Sequence, residues 1–162
     1  MKIIPFKISD DLLEVRNVAE SSFSITSDFS LDEWFSFDEM KKMIEQKRGI
    51  CLKAISDENE VIGMIYAQQE NPINGREGLE KWVIVIAAVK AGAEGNGVGS
   101  SLLKEMEKYA KENGAIKMFV YTNKDDERVV HFYQKNGYED AGWIRDYQYG
   151  TENSAVFLLK YL

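Results

Sequence analysis

The feature of this chain that most constrains its fold is an apolar strand that leads through a glycine-rich loop into an amphipathic helix. Residues 82–89 are apolar at consecutive positions, which is typical of a strand covered on both faces and therefore central in its sheet. The loop contains Gly95, Gly97 and Gly99, and apolar residues with a 3.6-residue period follow from Val98. This arrangement directs backbone N–H groups at a ligand, and phosphate is the usual one.

Two common phosphate-binding motifs do not fit this loop. A dinucleotide fingerprint requires glycines at positions i, i+2 and i+5, but the third position falls on Ser100 when counted from Gly95 and on Leu102 when counted from Gly97. A P-loop requires a lysine directly after its last glycine, where this chain has Val98. The sequence therefore does not indicate a dinucleotide-binding protein or a nucleotide hydrolase.

Length and composition are those of an ordinary globular protein. The chain has 162 residues, of which 44% are hydrophobic and 29% charged, and we expect a single domain over residues 1–162. No apolar run approaches the ~20 residues that cross a bilayer, and the first residues turn polar too soon for a signal peptide. We therefore expect a cytoplasmic protein with no membrane partner.

The charge balance bears on the class of partner. Twenty basic against 27 acidic residues give a net charge of −7. This charge disfavours nucleic acid as a partner, because contacts with phosphates supply most of that affinity. It would instead attract cationic substrates such as amines.

The residue counts disfavour metal and nucleophilic catalysis. Cys51 is the only cysteine and His131 the only histidine, so the chain has no internal disulfide and no cluster of ligands for zinc or a redox metal. His131 lies in a charged helical segment, and we interpret it as a surface residue rather than a catalytic base.

The hydrophobic pattern predicts a mixed α/β sheet with helices on both faces. Ser9 is the candidate cap of a first helix, and capping boxes begin at Ser30 and Ser36. Residues 70–79 have the composition of a loop, and we expect this loop to face the substrate. The predicted strands are 3–8, 50–56, 61–69, 82–89, 117–122, 138–147 and 155–161, with the second and third forming a hairpin. The other predicted helical segments are a bent one over 31–48, and 98–112 and 127–136.

Two sequence blocks resemble one enzyme family. The loop reads Glu94-Gly95-Asn96-Gly97-Val98-Gly99, and it resembles the phosphate loop of the GNAT superfamily of N-acetyltransferases, Arg/Gln-x-x-Gly-x-Gly/Ala between a strand and a helix. A second block follows at the spacing of that family, His131-Phe132-Tyr133-Gln134-Lys135-Asn136-Gly137-Tyr138. The resemblance runs from about Trp82 to the end of the chain and implies the mixed, mainly antiparallel sheet of the GNAT fold. Glu94 departs from the family's Arg or Gln, and Asp126 stands where asparagine is common.

The resemblance implies acetyl-coenzyme A as the co-substrate. The backbone amides of residues 95–100 would bind its pyrophosphate at the start of the helix, where the partial positive charge of the helix dipole favours an anion. Main-chain groups of Ala87, Ala88 and Val89 would hold the pantetheine arm and the thioester carbonyl. A backbone N–H directed at that carbonyl would stabilise the oxyanion that forms during attack.

Tyr133 is the predicted general acid. It aligns with the family tyrosine whose hydroxyl protonates the departing thiolate. The alternative is a core aromatic residue, because Val129, Phe132 and Tyr133 share one helical face. Asn123 and Asp126 precede this helix, and we include them as candidate contacts of the pantetheine arm.

Two carboxylate questions follow from this chemistry. Glu94 would repel the pyrophosphate if its carboxylate pointed toward that group, so we expect its side chain to turn away.

The attacking amine must lose a proton. Glu80 at the start of the central strand is our candidate base, ahead of Glu77 and Glu33. A solvated surface role is the alternative for all three.

We expect transfer of acetyl to a primary amine, on a small molecule or a peptide, by direct attack in a ternary complex. The alternative is a non-catalytic acyl-coenzyme A-binding module of the same fold. Trp34 and Phe35 are candidate acceptor contacts or core residues. Trp143, Tyr147 and Tyr149 could line a substrate pocket, form a contact between subunits of a homodimer, or pack in the core.

Overall fold

A seven-stranded sheet organises the protein. The computed structural model describes residues 1–23, 31–70, 80–148 and 153–162. The strands in these ranges are β1 (Lys2–Pro5), β2 (Gly49–Ile55), β3 (Val61–Gln69), β4 (Lys81–Val89), β5 (Lys117–Asn123), β6 (Glu139–Ile144) and β7 (Ala155–Tyr161). The helices are α1 (Leu12–Phe23), α2 (Phe37–Glu45), α3 (Val98–Glu112) and α4 (Glu127–Lys135), with a 3-10 turn (Leu31–Glu33) between α1 and α2.

The strand order is β1-β2-β3-β4-β5-β7-β6, so β4 lies in the middle. Among these described strands β4 and β5 form the one parallel pair, and every other pair is antiparallel. The predicted mixed, mainly antiparallel sheet is confirmed. The predicted hairpin, β2 with β3, and the predicted central strand are confirmed as well.

Separate hydrophobic cores cover the two faces of the sheet. On the face that we call the α3 face, α3 and α4 pack on the sheet, and Ile84 shares a core with Met106 and Tyr133. On the opposite face, the α1 face, α1 and α2 pack on β2, β3 and β4, and Ile86 shares a core with Val18. Burial on both sides explains why β4 is apolar at nearly every position, and it confirms the prediction of helices on both faces.

Close packing of α3 against β3 depends on Gly63. A Cβ atom at this position would lie 2.8 Å from Val98 Cγ1 and 2.9 Å from Leu102 Cδ1, inside van der Waals contact. The missing side chain lets the first turns of α3 approach the sheet. Gly63 thereby fixes the depth at which the start of this helix meets the strands.

The first strand and helix begin and end differently from the prediction. The strand ends at Pro5 rather than at residue 8, because a turn follows in which the Asp10 carboxylate accepts a backbone N–H. The cap of α1 is Asp11 rather than Ser9, since Asp11 Oδ1 accepts the N–H of Leu13 at 2.9 Å. An aspartate next to the first helical residue reaches that donor, whereas a serine two residues further back does not.

Other boundaries agree with the prediction more closely. Ser36 caps α2 as predicted, because its Oγ accepts the N–H of Glu39 at 3.3 Å. The predicted bent segment 31–48 is divided into the 3-10 turn and α2, and β6 ends at Ile144, short of the predicted residue 147. The predicted capping residue Ser30 and most of the predicted loop, 71–79, lie outside the described residues.

A buried lysine joins α1 to the sheet. Lys53 on β2 is only 6% exposed, and its Nζ lies 2.9 Å from Asp10 Oδ2 and 2.7 Å from Glu14 Oε2. Burial acts to lower the pKa of Lys53, but the bonds to Glu14 and Asp10 outweigh it and the pKa is raised. The backbone N–H of Lys7 and the ammonium of Lys53 lower the pKa of Asp10.

Candidate active site

Strands β4 and β5 part along their length. Their parallel pairing is confined to Lys81, Trp82 and Val83, although β4 continues to Val89 and β5 continues to Asn123. Over the same length β5 stays fully paired with β7 on its other side. The second half of β4 therefore turns main-chain N–H and C=O groups toward a cleft instead of toward a neighbouring strand.

A bulge in β4 bends the strand where the cleft opens. Tyr66 of β3 pairs with Ile86 and Ala67 pairs with Ile84, so Val85 is left over. As a result Val85 and Ile86 both contact the core on the α1 face. Beyond the bulge Ala87 packs on the α3 face and Ala88 on the α1 face. The predicted thioester-binding residues thus lie on the free stretch of β4, and small side chains keep that stretch narrow.

The glycine loop has a left-handed backbone at three points. Gly92, Gly95 and Gly97 have φ values of 87°, 79° and 77°, and a Cβ atom at any of them would meet nothing within 4 Å. The backbone conformation, rather than crowding, accounts for glycine here. The open space beside the loop leaves room for a ligand next to the main chain.

The start of α3 has no side-chain cap. Gly97 is the N-cap and provides no side-chain hydrogen bond, and the first turn holds no acidic residue. Ser101 N–H bonds to the carbonyl of Gly97 at 2.9 Å, so helical bonding begins there. The N–H groups before Ser101 in the first turn are those that any α-helix leaves without an intrahelical partner. They occupy the position predicted for pyrophosphate binding.

Glu94 has a local role in this loop. Its Oε2 accepts the N–H of Gly92 at 2.7 Å, and this hydrogen bond stabilises the turn over residues 92–94. The carboxylate is therefore bonded to the loop's own backbone upstream of the helix start. This contact gives a physical reason for an acidic residue at the position where the family has Arg or Gln.

The two motif blocks meet at Gly99 and Phe132. A Cβ atom at Gly99 would lie 3.2 Å from Phe132 Cε2, so the absence of a side chain lets α3 and α4 approach each other. Phe132 is followed by Tyr133, which is 4% exposed and packs edge-on against Tyr138 with ring centroids 5.4 Å apart. Burial raises the pKa of Tyr133, so its hydroxyl stays protonated at neutral pH.

The residues before α4 are engaged in local hydrogen bonds. Asn123 Oδ1 accepts the N–H of Asp125 at 2.9 Å, and Asp126 Oδ1 caps α4 by accepting the N–H of Val129 at 3.1 Å. Aspartate and asparagine are equally good helix caps. Asp126 therefore caps α4 as well as the asparagine that is common at this position in the family would. Contacts of Asn123 and Asp126 with pantetheine remain a prediction.

The candidate base Glu80 lies at the far end of β4. It precedes the strand where β4 and β5 are still paired, and its backbone carbonyl accepts the N–H of Ile116 at 2.9 Å. Seven residues of extended strand separate it from Ala87, a distance of about 20 Å at ~3.3 Å per residue. Glu33 lies in the 3-10 turn, and Glu77 is outside the described residues.

The single histidine and the single cysteine of the chain lie in contrasting positions. His131 is exposed on α4, which confirms its interpretation as a surface residue. Cys51 is fully buried on β2, and burial raises the pKa of its thiol to about 12. In the described part of the chain, no group of His, Cys, Asp or Glu side chains is arranged to hold a metal ion. The described helices include none with the length and apolar character to cross a membrane.

Several aromatic residues differ from the core interpretation. Trp143 and Tyr147 are 55% and 47% exposed, so core packing is wrong for both, and Tyr149 lies outside the described residues. Trp34 is exposed and stacks edge-on to Phe23, whereas Phe35 is buried in the core on the α1 face.

The sequence did not predict a further aromatic group, in which Tyr121, Tyr147 and Phe157 contact one another. The period-two alternation in β5 and β7 is the signal that could have placed Tyr121 and Phe157 on one face.

Comparison with known proteins agrees with this architecture. A family model described as the acetyltransferase (GNAT) family matches residues 12–138. No curated protein matches the sequence. Because the family model covers most of the chain, this protein belongs to the acetyltransferase (GNAT) family.

Solved structures share the fold at low sequence identity. An aminoglycoside 6′-N-acetyltransferase complexed with coenzyme A superposes with a TM-score of 0.76 at 18% identity, covering 99% of this chain and 97% of that one. A ribosomal-protein-alanine N-acetyltransferase from Brucella melitensis gives 0.77 at 18%, covering 100% of both chains. A GNAT family acetyltransferase from Elizabethkingia anophelis with acetyl-CoA bound gives 0.73 at 17%, covering 99% and 97%. These similarities establish a common fold.

Proposed function

We propose that this protein transfers an acetyl group from acetyl-coenzyme A to a primary amine by direct attack within a ternary complex. One observation carries the proposal: β4 parts from β5 beside a helix start that has no side-chain cap. The parted strands offer a thioester arm free main-chain groups, and the helix start offers its diphosphate an anion site. Membership of an acetyltransferase family supports the same co-substrate.

The diphosphate is bound by the amides of residues 95–100. Left-handed glycines at 95 and 97 let successive N–H groups converge on one anion, and the dipole of α3 adds partial positive charge. Glu94 keeps its negative charge, but its bond to the N–H of Gly92 holds the carboxylate on the upstream part of the loop, which limits its repulsion of the diphosphate.

The acetyl group is presented by β4. Its carbonyl lies against main-chain N–H groups of the stretch Ala87, Ala88 and Val89, which stabilise the negative charge that develops on the oxygen. One such donor is often worth about 3 kcal/mol in acyl transfer. The amine nitrogen attacks the carbonyl carbon, the C–S bond breaks, and the thiolate takes a proton from the Tyr133 hydroxyl. Burial raises the pKa of Tyr133, so the hydroxyl is protonated before transfer and the tyrosinate regains its proton readily afterwards.

The amine proton leaves through water in this proposal. Glu80 lies about 20 Å along β4 from Ala87, which is too far for direct transfer, so Glu80 acts only at the far end of a chain of waters. Glu80→Gln then keeps most of the turnover and the same pH profile. A large loss of turnover, together with a change in the acidic limb of the pH–rate profile, would show that Glu80 has a more direct role.

No covalent acetyl-enzyme is part of the reaction. Cys51 is the one thiol of the chain, and it is fully buried with its pKa raised to about 12. A protonated thiol in the core, on a strand next to α1 and α2, is a poor nucleophile. Direct attack by the amine fits this arrangement better.

A non-catalytic acyl-coenzyme A-binding module is the second candidate. It is favoured by the absence of any carboxylate within β4, residues Lys81–Val89, and by the distance of Glu80. Such a module would keep the anion site and the parted strands and would lack turnover.

Two measurements test the proposal in sequence. Calorimetry with coenzyme A and acetyl-coenzyme A tests binding, and absence of binding at millimolar concentration would overturn both candidates. Release of free thiol from acetyl-coenzyme A is then followed across a panel of primary amines. Acceptor-dependent release supports the transferase, whereas tight binding without release for every amine would favour the binding module.

A further inference from the structure

Three aromatic side chains form an exposed cluster, Tyr121, Tyr147 and Phe157, which we call the aromatic platform. The ring centroids of Tyr121 and Tyr147 are 5.2 Å apart, those of Tyr147 and Phe157 are 5.2 Å apart, and those of Tyr121 and Phe157 are 5.5 Å apart. Despite these mutual contacts Tyr121 is 40% exposed and Tyr147 is 47% exposed. Exposed aromatic surface of this kind commonly marks a binding site.

The platform borders the cleft between β4 and β5. Phe119 is the last residue of β5 paired with β4, and Tyr121 follows it by two positions, on the stretch that has separated. Residues two apart on a strand share a face, so Tyr121 lies on the side opposite Met118 and Val120, which belong to the core on the α3 face. The platform is therefore on the α1 face, beyond the strands that α1 and α2 cover.

This position is the one from which an acceptor would approach. In the proposed function the diphosphate lies at the start of α3 and the acid is Tyr133 on α4, and both helices lie on the α3 face. A nucleophile that attacks a thioester held between β4 and β5 must come from the opposite face. Tyr121 stands at that opening.

The surroundings of the platform indicate the chemistry of its ligand. Phe157 is directly opposite Tyr121 on β5 and Gly142 on β6. Ile144 of β6 and Leu159 of β7 are the next residues on the same face by alternation. A flat apolar group is the natural complement of aromatic rings bordered by such residues, because ring contacts add to the free energy of apolar burial.

We propose that the aromatic platform binds the body of the acceptor and selects primary amines whose amino group is joined by a short linker to an aromatic ring. This inference rests on the proposed acetyl transfer and names the substrate class of that site. An ammonium ion near aromatic faces gains a further attraction, which favours the protonated amine in the encounter complex.

The test compares 2-phenylethylamine with ethylamine, which shares the amino group and lacks the ring. In the wild-type protein kcat/KM for 2-phenylethylamine is expected to exceed that for ethylamine by about tenfold or more, since one ring contact and its burial supply that factor. Tyr147→Ala should remove most of this preference and leave the affinity for coenzyme A unchanged. Tyr161→Ala is the matched control, because Tyr161 is an exposed tyrosine on the same face of β7 at its other end.

Other outcomes would overturn the proposed role of the aromatic platform. Equal losses for both amines in Tyr147→Ala, or a wild-type preference for spermidine over 2-phenylethylamine, would exclude ring recognition. A wild-type dimer in sedimentation that Tyr147→Ala converts to monomer would show that a second copy covers the rings. If the protein transfers acetyl to no amine, the proposed function fails, and calorimetry of 2-phenylethylamine with wild type and Tyr147→Ala still decides whether the rings bind it.

Discussion

Gly99 of α3 lies in contact with the ring of Phe132 on α4, so that a Cβ atom at residue 99 would be 3.2 Å from Cε2 and 3.3 Å from Cζ. The contact joins α3, which starts at the predicted anion site, to α4, which carries Tyr133. Movement of either helix would shift the predicted acid relative to the predicted diphosphate site.

This contact predicts an energetic coupling between the two positions. Gly99→Ala should gain helix propensity but crowd the ring of Phe132, and the cost of crowding should disappear when Phe132 is replaced by leucine. In a double-mutant cycle measured by urea unfolding, we expect a coupling free energy of about 1 kcal/mol. Strict additivity of the two substitutions would show that the contact is unimportant.

Two glycines at opposite ends of α3 offer a matched test of the predicted anion site. Gly97 and Gly114 have φ values of 77° and 91°, and both have open space at the Cβ position. Alanine at either residue should cost about 1–2 kcal/mol of stability through its left-handed backbone. By calorimetry only Gly97→Ala should weaken coenzyme A binding, by about tenfold. Equal affinities of the two variants would contradict binding at the helix start.

Glu94→Gln should leave the fold intact and bind coenzyme A at least as tightly as the wild type. The amide oxygen of glutamine can still accept the N–H of Gly92, while a negative charge near the diphosphate is removed. Any gain in affinity should shrink as salt is added. Glu105→Gln, a charge-matched change further along the exposed face of α3, is the control. A clear loss of affinity in Glu94→Gln would refute the proposed arrangement of the loop.

Tyr133→Phe should lower kcat by about 100-fold without changing the dissociation constant of coenzyme A, because it removes the proton donor and keeps the ring. Burial raises the pKa of Tyr133 above its ordinary value of about 10, so the wild-type donor stays protonated over the usual assay range. The wild-type rate should therefore not decline below pH 10 through ionisation of this group. Unchanged turnover in the variant would remove the assignment.

Asp10→Asn should destabilise the protein by about 1 kcal/mol at pH 7, because it weakens the bonds to Lys7 N–H and Lys53. The native pKa of Asp10 is lowered, so its contribution is present above the unfolded pKa and is lost as pH falls through the lower native value. Urea unfolding at several pH values should show the difference between wild type and variant shrinking below pH of about 4. A difference that does not vary with pH would exclude the charged pair as its cause.

The sequence predicted the framework of this fold well because its signals are local. Continuous apolar residues predicted the central strand, and glycines after it predicted a turn into α3. The bulge at Val85 escaped prediction for the same reason, since a strand that is apolar everywhere does not reveal which residue is left unpaired. Gly63 was missed because its neighbours, Val98 and Leu102, are remote in the sequence.

The sequence predicted the main-chain part of the candidate site better than the positions of its side chains. The free stretch around Ala88 and the open helix start follow from the two motif blocks. Glu80 illustrates the limit, because nearness in sequence along an extended strand becomes a long separation in space. The exposure of Tyr147 was hidden as well, since it depends on how far the sheet extends beyond α1 and α2.

The deep burial of Cys51 has a practical consequence for assays. A thiol without access to solvent and with a pKa of about 12 reacts slowly with alkylating or disulfide reagents while the protein is folded. A chromogenic disulfide present throughout turnover would report liberated coenzyme A alone, and a sudden extra equivalent of colour per chain would signal unfolding.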